Sequence, residues 1–245
     1  ESVVYGDRGF EALYVMPVSF FVAVQNHLEN RDNLAMGIDV SWRPHNGFGL
    51  YAAWFFDDLA KLSPSAFSNK FGLQAGLFWV DPFRIQDTDI RAEYVRLEPF
   101  VYSHNFDINT YEHYETLLGH RIGPNADLWH IQVTRRFLTW MTVSVLFERE
   151  RQGENPVNVD GSVVNVGGNA QLGRRPTDLP VRDFMAGDVE IRTRLGLQMN
   201  FEPMRDWAIR AVYRRIQNHN VQVLGGTRGN TIGHEWLATL DVNFY

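Results

Sequence analysis

The chain has 245 residues, no cysteine and a formal charge of -6, which excludes disulfide, thiolate-metal and cysteine-nucleophile chemistry and argues against a nucleic-acid partner, which selects a basic face. Hydrophobic residues make up 44% of it, yet no apolar run approaches the roughly 18 residues of a membrane-spanning helix, so any membrane role falls to strands. Aromatics at 13%, with 7 tryptophans, suffice for interfacial girdles.

Glu1 opens the sequence without a basic and then apolar leader, so the expectation is a mature chain or one whose beginning is missing. Residues 10–24 are apolar without clean alternation and contain Pro17, which suits an irregular strand or a buried segment. From Leu34 a period of two sets in. Leu34, Met36, Ile38, Val40 and Trp42 take one face, with Asp39 and Arg43 on the other, and a turn follows at Pro44 to Gly47. The next strand sets Phe48, Leu50, Ala52, Trp54 and Phe56 against a mixed face of Tyr51, Ala53, Phe55 and Asp57, which suggests packing against something inside a lumen. After residues 58–68, a third strand has Phe71, Leu73, Ala75, Leu77 and Trp79 outward.

The fourth strand begins with Ile90, Ala92 and Tyr94 outward against Arg91 and Glu93, then changes parity so that Leu97, Pro99 and Val101 oppose Arg96 and Glu98. A bulge near Tyr94 and Val95 is the expected cause. A polar loop leads to Trp129, Ile131, Val133 and Phe137, opposed by His130 and Arg136. A short turn near Leu138 starts the sixth strand, with Met141, Val143, Val145 and Phe147 outward and Glu148 and Glu150 inward. Beyond a long Gly-, Asn- and Pro-rich stretch, Val189, Ile191, Leu195, Leu197 and Met199 alternate with Glu190, Arg192 and Arg194. The tight turn at Glu202 to Asp206 then leads to Trp207 and Ile209 against Arg210 and Arg214. The last strand puts Trp236, Leu240, Val242 and Phe244 opposite Asp241.

Apolar faces that persist for roughly 9 to 13 residues match a tilted strand across a bilayer better than a globular strand of about 5 or 6. Short and long connections also alternate, with long loops at 58–68, 105–127, 151–188 and 217–232. The expected fold is therefore all-β, an antiparallel transmembrane β-barrel of the bacterial outer membrane. It is a single domain over 1–245, with about nine strands, or ten with residues 10–24, and the long loops extracellular. An Arg at Leu195, taken as mid-strand, should cost on the order of 2 to 4 kcal/mol.

Inside such a barrel Asp39, Arg91, Glu93, Arg136, Glu148, Glu190, Arg192, Arg194, Arg210, Arg214 and Asp241 form a charge network. Ion pairs and water satisfy a lumen too wide for an apolar core, and interleaved Arg and Glu equally suit acidic or hydroxyl-rich sugars. His104, His113 and His120 share a loop with Tyr102, Tyr111 and Tyr114. Their spacing fits no compact metal box, there is no GxSxG elbow, and the Gly pairs lack a following helix pattern. No catalytic residue, metal or cofactor is expected. Aromatic rings stack on C–H-rich sugar faces while His and Asn supply hydrogen bonds, so Tyr102, His104, Tyr111, His113, Tyr114 and His120, with Arg96 and Glu98, are candidate sugar ligands. A loop folded in to plug the lumen accounts for the same residues.

The blocks KFGLQAGLFWVDPF (70–83), DIRAEYVRLEPFVYSH (89–104), YEHYETLLGHRIGPNAD (111–127) and, more weakly, NLAMGIDVSWRP (33–44) resemble the capsule assembly Wzi family of outer-membrane barrels, including its gliding-motility-linked relatives. In the third block Tyr111, His113, Leu118, Gly119, Gly123 and Pro124 fit, whereas Glu115 stands for an expected Gly and Leu117 for an expected Pro. The resemblance implies a barrel of about eighteen strands, of which this would be the C-terminal part, and a non-enzymatic surface lectin that holds capsular polysaccharide. Expected partners are outer-membrane lipid, capsular polysaccharide or lipopolysaccharide, and other outer-membrane proteins. A scaffold subunit of an outer-membrane complex and a diffusion porin are the alternatives.

Overall fold

Alternation along the chain becomes pairing between chain neighbours. A computed structural model describes residues 2–4, 9, 11–16, 24, 32–58, 70–104, 107–114, 116–178, 183–223 and 227–242. Its strands are β1 (Ser2–Val4), β2 (Asn33–His45), β3 (Phe48–Asp58), β4 (Lys70–Val80), β5 (Thr88–Leu97), β6 (Glu112–His113), β7 (Thr116–Leu117), β8 (Ala126–Leu138), β9 (Met141–Glu154), β10 (Asp188–Met204), β11 (Trp207–Gln222) and β12 (Arg228–Val242). Apart from the small hairpin β6–β7, they form one ten-stranded sheet in chain order, antiparallel throughout. The sheet is open: β1 and β12 end the order.

Two-residue turns join β8 to β9 and β10 to β11, where Asp206 takes a left-handed φ of 68°. Register between β9 and β10 runs without interruption from Asp188 opposite Glu154 to Phe201 opposite Met141. Because directly opposed residues share a face, one apolar face extends across the sheet. Exposed on it are Ile38, Val40 and Trp42 (β2), Trp54 (β3), Leu73 (β4), Ile131 and Val133 (β8), Val145 (β9), Leu195 and Leu197 (β10) and Ile209 (β11).

Aromatic pairs border this face at both ends. Toward the long loops Trp54 lies 4.8 Å from Phe56 and Tyr94 4.6 Å from Trp129, ring centre to ring centre, while Tyr213 and Trp236, 4.3 Å apart, stand in the row of Leu197. Toward the short turns Trp79 lies 4.7 Å from Phe83 and Trp140 5.0 Å from Phe201. From Trp129 to Phe137 is eight residues, roughly 26 Å along a strand.

The packed core lies on the opposite, polar face. Val95, Leu97, Ala126 and Leu128 are covered there by Val101, Tyr102 and Ile122 of the β5–β8 connection and by Ala170 of the β9–β10 connection, with Phe55 packed alongside. The mixed face of β3 thus meets a folded-in loop, as its sequence suggested.

Several expectations are corrected. There is no bulge in β5: its register with β4 runs unbroken from Gly72 opposite Leu97 to Val80 opposite Asp89. Leu97 and Val101 are 3% and 0% exposed, and Arg96, opposite Leu73, is on the apolar face. The expected slip assumed that Leu97 must point away from a polar lumen, whereas the loop supplies it with apolar partners on that side. The connection expected at 217–232 shrinks to 223–227, because β11 and β12 continue pairing past a register shift between Asn218 and Val221. The loop expected at 151–188 contracts to 155–187 and that at 105–127 begins at 98, after Leu97, and ends before Ala126. Of residues 10–24, Ala12–Val15 form a 3-10 turn, and the short strand that joins β2 is Ser2–Val4 instead. Phe244 and most of 58–68 lie outside the described residues.

Candidate functional site

The β5–β8 connection, 98–125, is bound to the sheet by specific hydrogen bonds. The Glu98 N–H donates to the Phe71 carbonyl (3.0 Å) and Lys70 Nζ to the Ser103 carbonyl (2.6 Å). The Tyr102 N–H donates to Asp57 Oδ2 (2.8 Å), which explains a carboxylate at the inward end of β3. Asn125, wholly buried, donates to the Gly153 and Ala186 carbonyls (2.8 and 3.0 Å) and accepts from the Met185 N–H (2.8 Å). One side chain therefore ties together both long loops and β9. Such groups are costly to leave unpaired, so the loop conformation is strongly specified.

Tyr102 is the loop's keystone. Its ring contacts Phe55 and stacks on Tyr111 at 5.4 and 5.7 Å, and its hydroxyl accepts from the His120 N–H at 2.9 Å. Burial pushes its pKa up to about 12, so the phenol stays protonated. A Cβ on Gly119 would collide with the hydroxyl edge of the Tyr102 ring, at Cζ and Oη, which accounts for glycine there. His120 is held below the ordinary histidine range by burial and then by the neighbouring Arg121, and its Nδ1 accepts from the Ile122 N–H (3.4 Å).

The candidate sugar ligands fall into three groups. Tyr102, Tyr111 and His120 pack the base of the loop, with His104 half-buried beside it. His113 and Tyr114 form the tip of the hairpin β6–β7, edge to face at 4.4 Å, and Tyr114 is 90% exposed. Arg96 is across the sheet from both: its Nε donates to Glu98 Oε1 (2.8 Å) and its guanidinium lies 3.8 Å over the Phe184 ring.

On the polar face the charges resolve into distinct clusters. Glu150 takes Arg121 (2.8 Å), Arg192 (3.4 Å) and Arg194 (3.4 Å), while Glu148 takes Arg121 (3.3 Å), Arg194 (3.4 Å) and His130 (3.1 Å). Glu190 joins Arg192 at 2.8 Å and Arg228 at 2.9 Å. Glu93 holds Arg91 at 3.3 Å and accepts from the Tyr51 hydroxyl. Arg214 faces Glu235 at 3.6 Å, and Arg210 donates to Gln198 at 3.0 Å. Among the described residues Asp39, Arg136 and Asp241 join no ion pair. Arg121 and Arg228 were not foreseen, since a loop side chain and a residue assigned to a loop carry no inward or outward parity.

The β9–β10 connection adds a mixed cavity of about 410 Å³, lined by Asn165, Arg175, Thr177, Asp178 and Asp183 on one hand and by three valines and Ala186 on the other. Arg175 pairs with Asp178 (3.0 Å) and Asn165 Nδ2 donates to it (2.9 Å). The two long loops touch where Gln171 donates to Glu112 (3.4 Å), so tip and cavity belong to one end of the sheet. The arrangement offers stacking rings and hydrogen-bonding groups.

Residues 16–231 match the family model described as Capsule assembly protein Wzi. No curated protein matches the chain.

Proposed function

The chain belongs to the Wzi capsule assembly family, and on that premise we propose that it is a segment of an outer-membrane β-barrel that anchors surface polysaccharide without chemical turnover. The apolar face, bordered by aromatic pairs at both ends, suits lipid contact between two interfaces. Short turns then face the periplasm and long loops the exterior. An unpaired sheet edge in hydrocarbon is costly, so β12 and the length of β2 that the three-residue β1 leaves uncovered pair with further strands in the closed barrel.

The observation that carries the anchoring reading is the division within 98–125. Its base fills the polar face with Tyr102, Ile122 and Arg121, and its tip holds His113 and the exposed Tyr114 outward. A plugged interior disfavours a diffusion porin. An exposed aromatic beside an imidazole matches a pyranose face and its hydroxyls. The nearby cavity, which sets carboxylate, amide, hydroxyl and guanidinium groups among valine side chains, has the size for one further sugar residue, with apolar wall for its C–H face and polar groups for its hydroxyls.

Glycan-array binding of the detergent-solubilised protein, paired with planar-bilayer conductance, tests this. Binding to a capsular or lipopolysaccharide glycan that falls about tenfold in Tyr114→Ala, equivalent to the roughly 1.4 kcal/mol of one lost stacking contact, is expected, with no steady conductance. A folded barrel that binds no glycan of the panel, or an open pore, overturns it.

A further inference from the structure

The apolar face carries a second basic feature that the lumen network does not use. Arg149 stands directly opposite Trp129 on β8 and Thr193 on β10. Arg215 stands opposite Leu195 on β10 and His234 on β12. Both arginines are exposed, and among the described residues neither has a hydrogen-bond, ion-pair or ring partner. Each sits where the apolar run ends toward the long loops. On β9 Val143, Val145 and Phe147 precede Arg149, and on β11 Trp207, Ile209, Ala211 and Tyr213 precede Arg215.

The other charges of this rim are already matched. Arg151 Nε donates to Asp127 Oδ1 (2.9 Å), and Arg96 pairs with Glu98 at 2.7 Å. Four arginines thus face two carboxylates, and the unmatched charge is that of Arg149 and Arg215. A guanidinium has five donors in a planar fork and keeps its proton. Placed beside the aromatic border of a hydrocarbon-facing surface, it gains most from an anion at headgroup depth, where desolvation is partial and bidentate bonds to phosphate oxygens form.

We propose that Arg149 and Arg215 form a phosphate-binding belt on the lipid-facing wall, which holds the phosphorylated glycolipid of the outer leaflet. Trp129 and His234 border its headgroup, with Tyr213 and Trp236 one rung deeper in the wall, where the Tyr213 hydroxyl and His234 are already hydrogen bonded at 2.8 Å. The occupant is a lipid and not free phosphate, because both guanidinium groups border the acyl-facing surface of Leu195, Phe147 and Ile131. This inference rests on the outer-membrane reading above and is independent of the glycan site at Tyr114. It gives the barrel a fixed contact with the leaflet from which surface glycans project.

The test uses delipidated protein in dodecyl maltoside, native mass spectrometry to count bound lipid, and bisphosphorylated or dephosphorylated lipid A as probe. Wild type is expected to retain the bisphosphorylated form, with a loss on the order of tenfold for each of Arg149→Gln and Arg215→Gln, the scale of one charge-assisted hydrogen bond. Arg149→Lys should recover part of it. Arg205→Gln, at the opposite end in the β10–β11 turn, should bind as wild type. Millimolar inorganic phosphate should not displace the lipid. Equal binding of the two lipid forms, or a double Gln variant equal to wild type, overturns the belt while heat-modifiable migration still reports a folded barrel. A protein that stays folded in buffer without detergent and binds neither lipid overturns the membrane reading and the belt together.

Discussion

Replacing Leu197 with arginine is the sharpest test of which face meets lipid. Leu197 is 48% exposed on the apolar face, between Val145 and Tyr213. The apolar run on β10 is bounded above by the row of Leu195, whose partner is Arg215, and below by Phe201, which packs on Trp140 at 5.0 Å. From Leu195 to Phe201 that run takes six residue steps, roughly 20 Å, so its middle lies within about 3 Å of Leu197. Leu195 is one rung nearer the rim than its place in the sequence suggested.

An arginine at the midplane of a barrel's lipid face costs about 2 to 4 kcal/mol, falling to about 0 to 1 near the interface. Leu197→Arg should therefore carry the full penalty and Leu195→Arg a smaller one. Gln198→Arg, on the polar face beside a cavity of about 60 Å³ lined by Gln132 and Ser144, loses the hydrogen bond that Gln198 accepts from Arg210 and sets a second guanidinium beside it, so it should cost about 1 kcal/mol, still less than Leu197→Arg. Gly196 is a poor control, because a Cβ there meets Leu146 Cβ at 3.2 Å. Urea-driven folding equilibria in lipid vesicles, followed by tryptophan fluorescence, give the three free energies. Equal penalties at 197 and 198, or the reverse order of 197 and 195, would refute the assignment of faces.

Three further outcomes concern the loops. Since His120 is held below the ordinary value of about 6.5, the unfolded loop takes up the proton first. The loop is then fully stabilised above about pH 6.5 and loosens as pH falls toward the folded pKa, so proteolytic nicking within 98–125 should rise between pH 7.5 and 5.5, and His120→Asn should flatten that rise. Glu150→Gln deprives Arg121, Arg192 and Arg194 of their shared carboxylate. The 3 to 5 kcal/mol of a broken buried pair is reduced to about 1 to 3 by the 25% to 52% exposure of those arginines, and an unchanged thermal transition in detergent would contradict the network's role. Asn125→Ala removes three hydrogen bonds and places alanine at φ 53°, an expected loss of about 2 to 4 kcal/mol. Asn125→Gly, which accepts that backbone angle, should recover only about 1 kcal/mol, as the same melt would show.

The nine long strands, their antiparallel succession and the face of nearly every residue in them were legible in the sequence, because a strand writes its two faces into adjacent positions. Leu195 and Arg194, or Ile131 and His130, are assigned by parity alone. The family blocks at 70–83 and 111–127 were legible for the same reason: they are contiguous. What failed was whatever depends on a residue distant in the chain. Leu97 was assigned to lipid because nothing nearby in sequence covers it, yet Tyr102 and Ile122 return over it, and with them Arg96 passes to the opposite face. The 217–232 segment contains Asn, Gly and Arg and lacks an apolar period, but pairing of Val221 with Gly229 across the register shift extends both strands through it. Arg121, Asn125 and Asp57 likewise show their purpose only through partners 29, 61 and 45 residues away. Local alternation determined the sheet; which loop fills its polar face, and so which side chains remain outside to meet a ligand, was decided by contacts that no local period records.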